Sequence, residues 1–355
     1  NKASLIALCL IIIGFGYLRD SILFIYPFLI NLFLYKELQK NRLSGFSYKI
    51  NLSFLYFMLG ALPLIKASTL YYCVVMLAIA LTISCYKKHY AAGILILIST
   101  VMGVVTFWLM AGQPLANLTH YIASIQPITS GYTEAMAMEG NSIEVIYYLL
   151  GCFSFALMIV FSSLENRETK LYYLANCTIF LFIAFKASFV RHDIHATIGA
   201  DSLVIASLLL TMLMNMKRAS LLIVISVVYW LAVMAHYNIV DKVSSLEKPF
   251  IKVQKSLQGV LSRMGENAEI EITYQTSLKE IVNTNPLPLV EGEVDIYSHQ
   301  QAWLIASENL WKPRPIMQSY SVYHPELSKR NADYLRSDAA PESLFFRVEP
   351  IDNRF

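Results

Sequence analysis

AAGILILISTVMGVVTFWLMA, residues 91–111, runs for 21 positions without a charged side chain. At 1.5 Å per residue a helix of this length covers about 30 Å, the thickness of bilayer hydrocarbon. Similar apolar runs lie on either side, at approximately 4–18, 21–36, 50–65, 68–86, 143–163, 170–188, 197–216 and 219–236. The sequence therefore predicts a polytopic α-helical membrane protein with about nine spans. The first three runs are short and would cross tilted, or be covered by neighbours, because bare backbone cannot face lipid.

Composition agrees with lipid as the solvent. Of 355 residues, 56% are apolar and 15% charged, and the mean hydropathy is +0.50. Soluble domains carry about 25% charged residues. A net charge of +3 with no basic stripe argues against nucleic acid as a partner. The apolar character ends near His236, and from Asp241 the chain is mixed and rich in turn residues. The expected division is a transmembrane domain at 1–238 and a water-soluble domain at 239–355. Cys9, Cys73, Cys85, Cys152 and Cys177 all fall in the apolar half without zinc spacing, so the soluble part has no disulfide. That weakly favours a bacterial surface. The chain begins with Asn, and residues beyond one or both ends are expected; no signal peptide is visible.

The loops alternate in charge. Lys36, Lys40, Arg42 and Lys49 form one group, followed by Lys87 and Lys88, Arg167 and Lys170, and Lys217 and Arg218. The opposite set holds Arg19-Asp20, Lys66, the stretch 113–142 and Arg191–His195. The positive-inside rule puts the first set in the cytoplasm. This predicts a bacterial inner-membrane protein with a cytoplasmic N-terminus and an extracytoplasmic C-terminal domain.

That domain reads as a small α/β layer with a mainly parallel sheet. Residues 241–264 have helical apolar spacing and predict an amphipathic helix leaving the membrane. Strands are expected at 294–297, 316–320 and 343–348, with helices at 299–310 and 325–336, the latter opened by Pro325.

Polar groups gather on the predicted outer edge: Arg19, Lys66, Gln113, Tyr132, Glu134 and the segment FKASFVRHDIHAT, 185–197, with Lys186, Arg191, His192, Asp193 and His195. Ionisable groups at a membrane boundary are costly unless paired or wet. Cations there suit phosphate or pyrophosphate, and a carboxylate or histidine can act as base toward a sugar hydroxyl. The bland alternative is a polar loop with an Arg191–Asp193 ion pair and a snorkelling Lys186. His192, Asp193 and His195 are metal-ligand types, but the spacing is a weak signal, and no metal or other cofactor is expected. No HExxH, Walker, GxGxxG or GxSxG motif occurs. In the outer domain, Arg314, Gln318 and Tyr320 offer a possible sugar-lining set, against the plain reading of a strand and turn.

The stretches AGQPL (111–115), SGYTEAM (130–136), FKASFVRHDIH (185–195) and PRPIMQSYSVY (313–323) resemble a group of largely uncharacterised bacterial multi-pass proteins. Their plan is similar to the O-antigen ligase and polymerase type of GT-C glycosyltransferase. The resemblance implies glycan transfer from an undecaprenyl-phosphate-linked donor at the outer membrane face, without metal or nucleotide. On those motifs Lys186, Arg191, Asp193 and His195 form the core of the site, with Gln113, Tyr132 and Glu134 beside it. Asp193, His195 and Glu134 are then the catalytic candidates, and Arg19 and Lys66 auxiliary phosphate contacts. The chain departs from the ligases in its expected span number and in its α/β outer domain.

Two readings follow. The leading one is a membrane-embedded glycosyltransferase-like enzyme of cell-surface polysaccharide or glycolipid assembly, with a lipid-linked glycan and membrane lipid as partners. The alternative is a non-enzymatic membrane subunit of an export or assembly complex whose outer domain binds a partner protein or glycan. A transporter fits less well, since such sites sit near the midplane and often between repeats, and no repeat is seen.

Overall fold

The computed structural model describes residues 19–40, 45–162, 166–214, 219–237, 248–264, 268–347 and 350. The apolar run at 4–18 and the side chain of Arg19 lie outside the described residues. Contacts divide the chain into two units, Asn1–Ala123 with Met136–Pro249, and Ser124–Ala135 with Phe250–Phe355.

The first unit is built from helices α1 (Arg19–Gln39), α2 (Phe46–Leu59), α3 (Leu62–Ile65), α4 (Thr69–Tyr86), α5 (Tyr90–Met110), α8 (Ser142–Val160), α9 (Arg167–Phe189), α10 (Ala196–Met214) and α11 (Ala219–His236). The long stretch after α5 is expected as a loop, yet it forms α6 (Asn117–Ser130) and α7 (Tyr132–Met136). Leu118, Tyr121, Ile122 and Ile125 give α6 one apolar face at helical spacing. Two bonds hold its start. Trp108 Nε1 donates to the Pro114 carbonyl at 2.9 Å, and the Tyr121 hydroxyl to the Pro63 carbonyl at 2.6 Å.

Among the described residues, six segments are long and apolar enough to cross a membrane: Asp20–Gln39, Phe46–Ile65, Thr69–Tyr86, Tyr90–Met110, Ser142–Val160 and Arg167–Phe189. Helices α10 and α11 are also apolar, with described side chains over Ala196–Thr211 and Ser220–His236. Large aliphatic side chains stay exposed in stripes, such as Ile94, Leu97, Ile98 and Val101 on α5 and Leu221, Val224 and Val228 on α11. Apolar surface on that scale is what helices in a lipid environment present.

Helix α1 buries Phe24, Phe28, Leu34 and Tyr35 against α9 and α10. Its polar residues are paired internally, as an apolar medium requires. Asn31 Nδ2 donates to Asn176 Oδ1 and to the Met76 carbonyl, and Tyr56 donates to Asn31 Oδ1, all within 2.9 Å. This node ties four helices at mid-depth. Helices α2 and α5 approach more closely still. A Cβ on Gly103 would lie 2.0 Å from the Phe57 carbonyl oxygen, and one on Gly60 would lie 2.4 Å from the Val104 nitrogen. Small residues permit this backbone contact.

The second unit contains α12 (Lys248–Met264), α13 (Ala268–Thr284), β1 (Glu293–Tyr297), α14 (Gln301–Ala306), β2 (Leu310–Trp311), α15 (Pro325–Leu335) and β3 (Ser343–Phe346). The three strands form a parallel sheet in the order β2-β1-β3, with Val294 opposite both Trp311 and Ser343. Central β1 buries Val294, Asp295 and Ile296, and Leu304 of α14 closes a small core on it. The strand expected at 316–320 is not formed. Pro313 and Pro315 remove two donors from WKPRPIM, so pairing stops at Trp311. Residues Ser319–Ser321 make a 3-10 turn instead. Asn331 clamps Ile316 through both its backbone N–H and its carbonyl.

Candidate functional site

Hydrogen bonds bring one set of helix ends together in the first unit. Ser21, at the start of α1, donates to buried Asp201 near the start of α10 at 3.0 Å. Trp230 of α11 donates to the other Asp201 oxygen at 2.8 Å. Lys66, between α3 and α4, pairs with Asp20. The turn 190–195 joins the end of α9 to the start of α10 and belongs to the same end.

Two linked polar groups occupy this turn. In the first, Asp193 accepts from Arg191 Nε at 2.9 Å, from the His195 backbone N–H at 2.9 Å and from the His195 Nδ1. The bond to a backbone two residues on is an Asx turn, and the Asp193 carbonyl then accepts from Ala196 to open α10. Burial pushes the Asp193 carboxyl up, but the His195 backbone N–H, the Arg191 guanidinium and the His195 ring outweigh it and hold it below its ordinary value. A depressed carboxyl keeps its bonds above that value and loses them only as pH falls through it. The links to Arg191 and His195 are therefore intact at neutral pH.

The second group centres on Glu144 in the first turn of α8. Its side chain is buried and accepts from His192 Nε2 at 2.9 Å, His236 Nδ1 at 2.5 Å and the Tyr237 hydroxyl at 3.2 Å. Its carbonyl accepts from Tyr229 at 3.1 Å. Burial, the Glu144 charge and the Asp193 charge all push the Tyr237 phenol up. Asp193 thus acts on the same pocket as Glu144. His192 is the physical link, since it stands between Arg191 and Asp193 in sequence while its ring is locked on Glu144. Its ring also meets Phe189 edge-on at 5.0 Å. A strap fixes the backbone, with Met138 N–H donating to the Val190 carbonyl and His192 N–H to the Met138 carbonyl. Gly140 lets the strap lie flat, because a Cβ there would sit 2.3 Å from the His192 ring.

The expected site residues divide between the units. Lys66, Lys186, Arg191, Asp193 and His195 belong to the helical unit, as does exposed Gln113. Lys186 is exposed, one turn before Val190, whose N–H bonds its carbonyl. Tyr132 and Glu134 belong to the second unit and are exposed there, as are Gln318 and Tyr320. Within that unit the SGYTEAM and QSYSVY motifs meet. The Tyr132 and Tyr323 rings stand edge to face at 6.2 Å, and Arg330 donates to Ser124 at 2.8 Å. Arg314 is 1% exposed and its side chain points inward. It donates to Asp295 at 2.7 Å, to the Ile296 and Met317 carbonyls and to Ser319. It holds the sheet together and does not face solvent.

Sequence reasoning missed Glu144, His236 and Tyr237. The signal was an acid inside an apolar run, which needs a partner. Among the described residues no group of three or more His, Cys, Asp and Glu side chains is arranged to hold a metal ion. Comparison with family models, with curated proteins and with solved structures finds no match to this chain.

Proposed function

We propose that this chain is a membrane-embedded glycosyltransferase that uses a polyprenyl-phosphate-linked donor at the outer membrane face. The supporting observation is the Asp193–His195 pair beside Arg191. The carboxylate orients the imidazole through Nδ1, which leaves Nε2 to take a proton from an acceptor hydroxyl. The acceptor oxygen then bonds the donor's anomeric carbon as the carbon–oxygen bond to phosphate breaks. The departing phosphate or pyrophosphate keeps the bonding pair, and Arg191 and Lys186 offset its charge. Glu144 holds His192 and so fixes the turn that carries all three groups.

The orientation rests on the loop charges. Lys40, Lys49, Lys87, Lys88, Arg167 and Lys170 crowd the helix ends opposite the Asp193 turn. On that orientation, with the apolar run at 4–18 as a further span, nine crossings bring the second unit to the extracytoplasmic side of a bacterial inner membrane.

Arg191→Ala is expected to lower surface-glycan assembly in cells by about 100-fold, the scale of losing one transition-state donor. Membrane insertion, followed by protease protection of the loops, should be unchanged. Wild-type glycan levels in an inserted Arg191→Ala protein would overturn the proposal and favour the non-enzymatic subunit.

A further inference from the structure

We infer that α12 lies in the headgroup region of an anionic membrane surface, with its apolar stripe turned into the lipid. At 100° per residue, Val253, Leu257, Val260, Leu261 and Met264 fall within about a 100° arc of the helix. All five are more than half exposed, Met264 reaching 80%. The helix turns a different face to its neighbour. Gln258, Gly259 and Ser262 line a cavity with Ile270, Thr273 and Tyr274 of α13. Gln258 and Ser262 are themselves exposed, so the described part of α12 stands largely clear of protein with its apolar stripe uncovered, unlike a helix packed onto a water-soluble core.

Charge selects the occupant. The sequence of α12, KPFIKVQKSLQGVLSRM, contains lysines and an arginine and no acid. Arg263 lies on the flank of the apolar arc, where a cation meets lipid phosphates, and Lys255 lies on the far side, facing water and adding positive charge near the surface. Connectivity supplies the surface. Helix α11 ends at His236 and α12 begins at Lys248, and the 11 residues between reach at most about 40 Å. An amphipathic cationic helix tethered so near an apolar bundle has a bilayer within reach. The placement of α12 holds whether or not the polar end of the bundle transfers glycans.

The test uses the full chain in nanodiscs, with native cysteines replaced and single nitroxide labels at Leu257→Cys, Val260→Cys, Met264→Cys and Lys255→Cys. These positions are exposed, so the labels leave packing intact. In phosphatidylglycerol discs, the three stripe labels should be several-fold more accessible to oxygen than to a water-soluble nickel chelate. Lys255→Cys should show the reverse, and in pure phosphatidylcholine discs the stripe labels should become shallower. Equal water access on both faces would overturn the inference. So would stripe labels shielded from both reagents, which would mean a protein or a second copy covers them, or equal depth in the two lipids.

Discussion

Gly103→Leu should leave no stably folded protein. The Cβ alone would lie 2.0 Å from the Phe57 carbonyl oxygen and 2.9 Å from its carbon. Both atoms are backbone in the last turn of α2, so no rotamer change relieves the clash, and α2 must move off α5. The facing Gly60 has the same problem from the other side, with Val104 N, Gly103 C and Thr100 O all within 2.8 Å of its Cβ position. Overpacking of a close crossing costs about 3 kcal/mol or more, a large share of total stability. The expected result is loss of the monodisperse peak after detergent extraction, with Gly103→Ala intermediate. Val101→Leu, two residues away and 52% exposed, should behave as wild type. A folded Gly103→Leu protein would show that α2 and α5 do not cross at these glycines.

Asp295→Ala should unfold the second unit while leaving the helical unit inserted. Asp295 lies in central β1 and is fully buried. It accepts from Arg314 Nη1 at 2.7 Å, from the Arg314 backbone N–H at 3.3 Å and from Trp311 Nε1 at 3.0 Å. Removing it strands a buried guanidinium with no compensating charge, a loss of about 3–5 kcal/mol. A sheet of three short strands over a core of Val294, Ile296 and Leu304 has little reserve against that. Limited proteolysis should cut the chain after residue 268 many times faster than in wild type. The paired change Asp295→Leu with Arg314→Met removes both charges together and should recover much of the resistance. Equal protease resistance of Asp295→Ala and wild type would show that the ion pair does not hold this sheet.

Sequence legibility followed the range of the interaction. The apolar runs at 21–36, 50–65, 68–86, 91–111, 143–163 and 170–188 each coincide with a long apolar helix, because hydropathy is a local property. The runs at 197–216 and 219–236 correspond to the apolar helices α10 and α11. Parallel pairing near the C-terminus was also legible, from alternating strand and helix patterns around Val294 and Pro325. Helix α13 was not, since its opening AEIEITY alternates apolar and polar residues as a strand would.

The candidate site was legible only in part. Arg191, Asp193 and His195 interact across two residues, so one short window contains them. The Glu144 pocket is assembled over separations of 48 residues to His192 and 92 to His236. Glu144 itself follows Asn141, whose side chain caps α8 by accepting from Ile143. An acid in a capped first turn reads as an ordinary helix start, which concealed it. Its partner His236 reads equally well as the polar end of a span. Arg314 misled in the opposite direction, because a cation among prolines and aromatics reads as surface until its buried partner on β1 is known.

The most direct test of glycosyl transfer at the Asp193 turn is release of polyprenyl phosphate or pyrophosphate by the reconstituted full chain. The substrate is the lipid-linked glycan extracted from the source membranes, and mass spectrometry follows the freed lipid. Wild type should release it, and His195→Ala should slow release by about 100-fold or more, the contribution of a positioned general base. Equal release by wild type and a correctly folded His195→Ala protein would contradict a catalytic role for this end of the bundle.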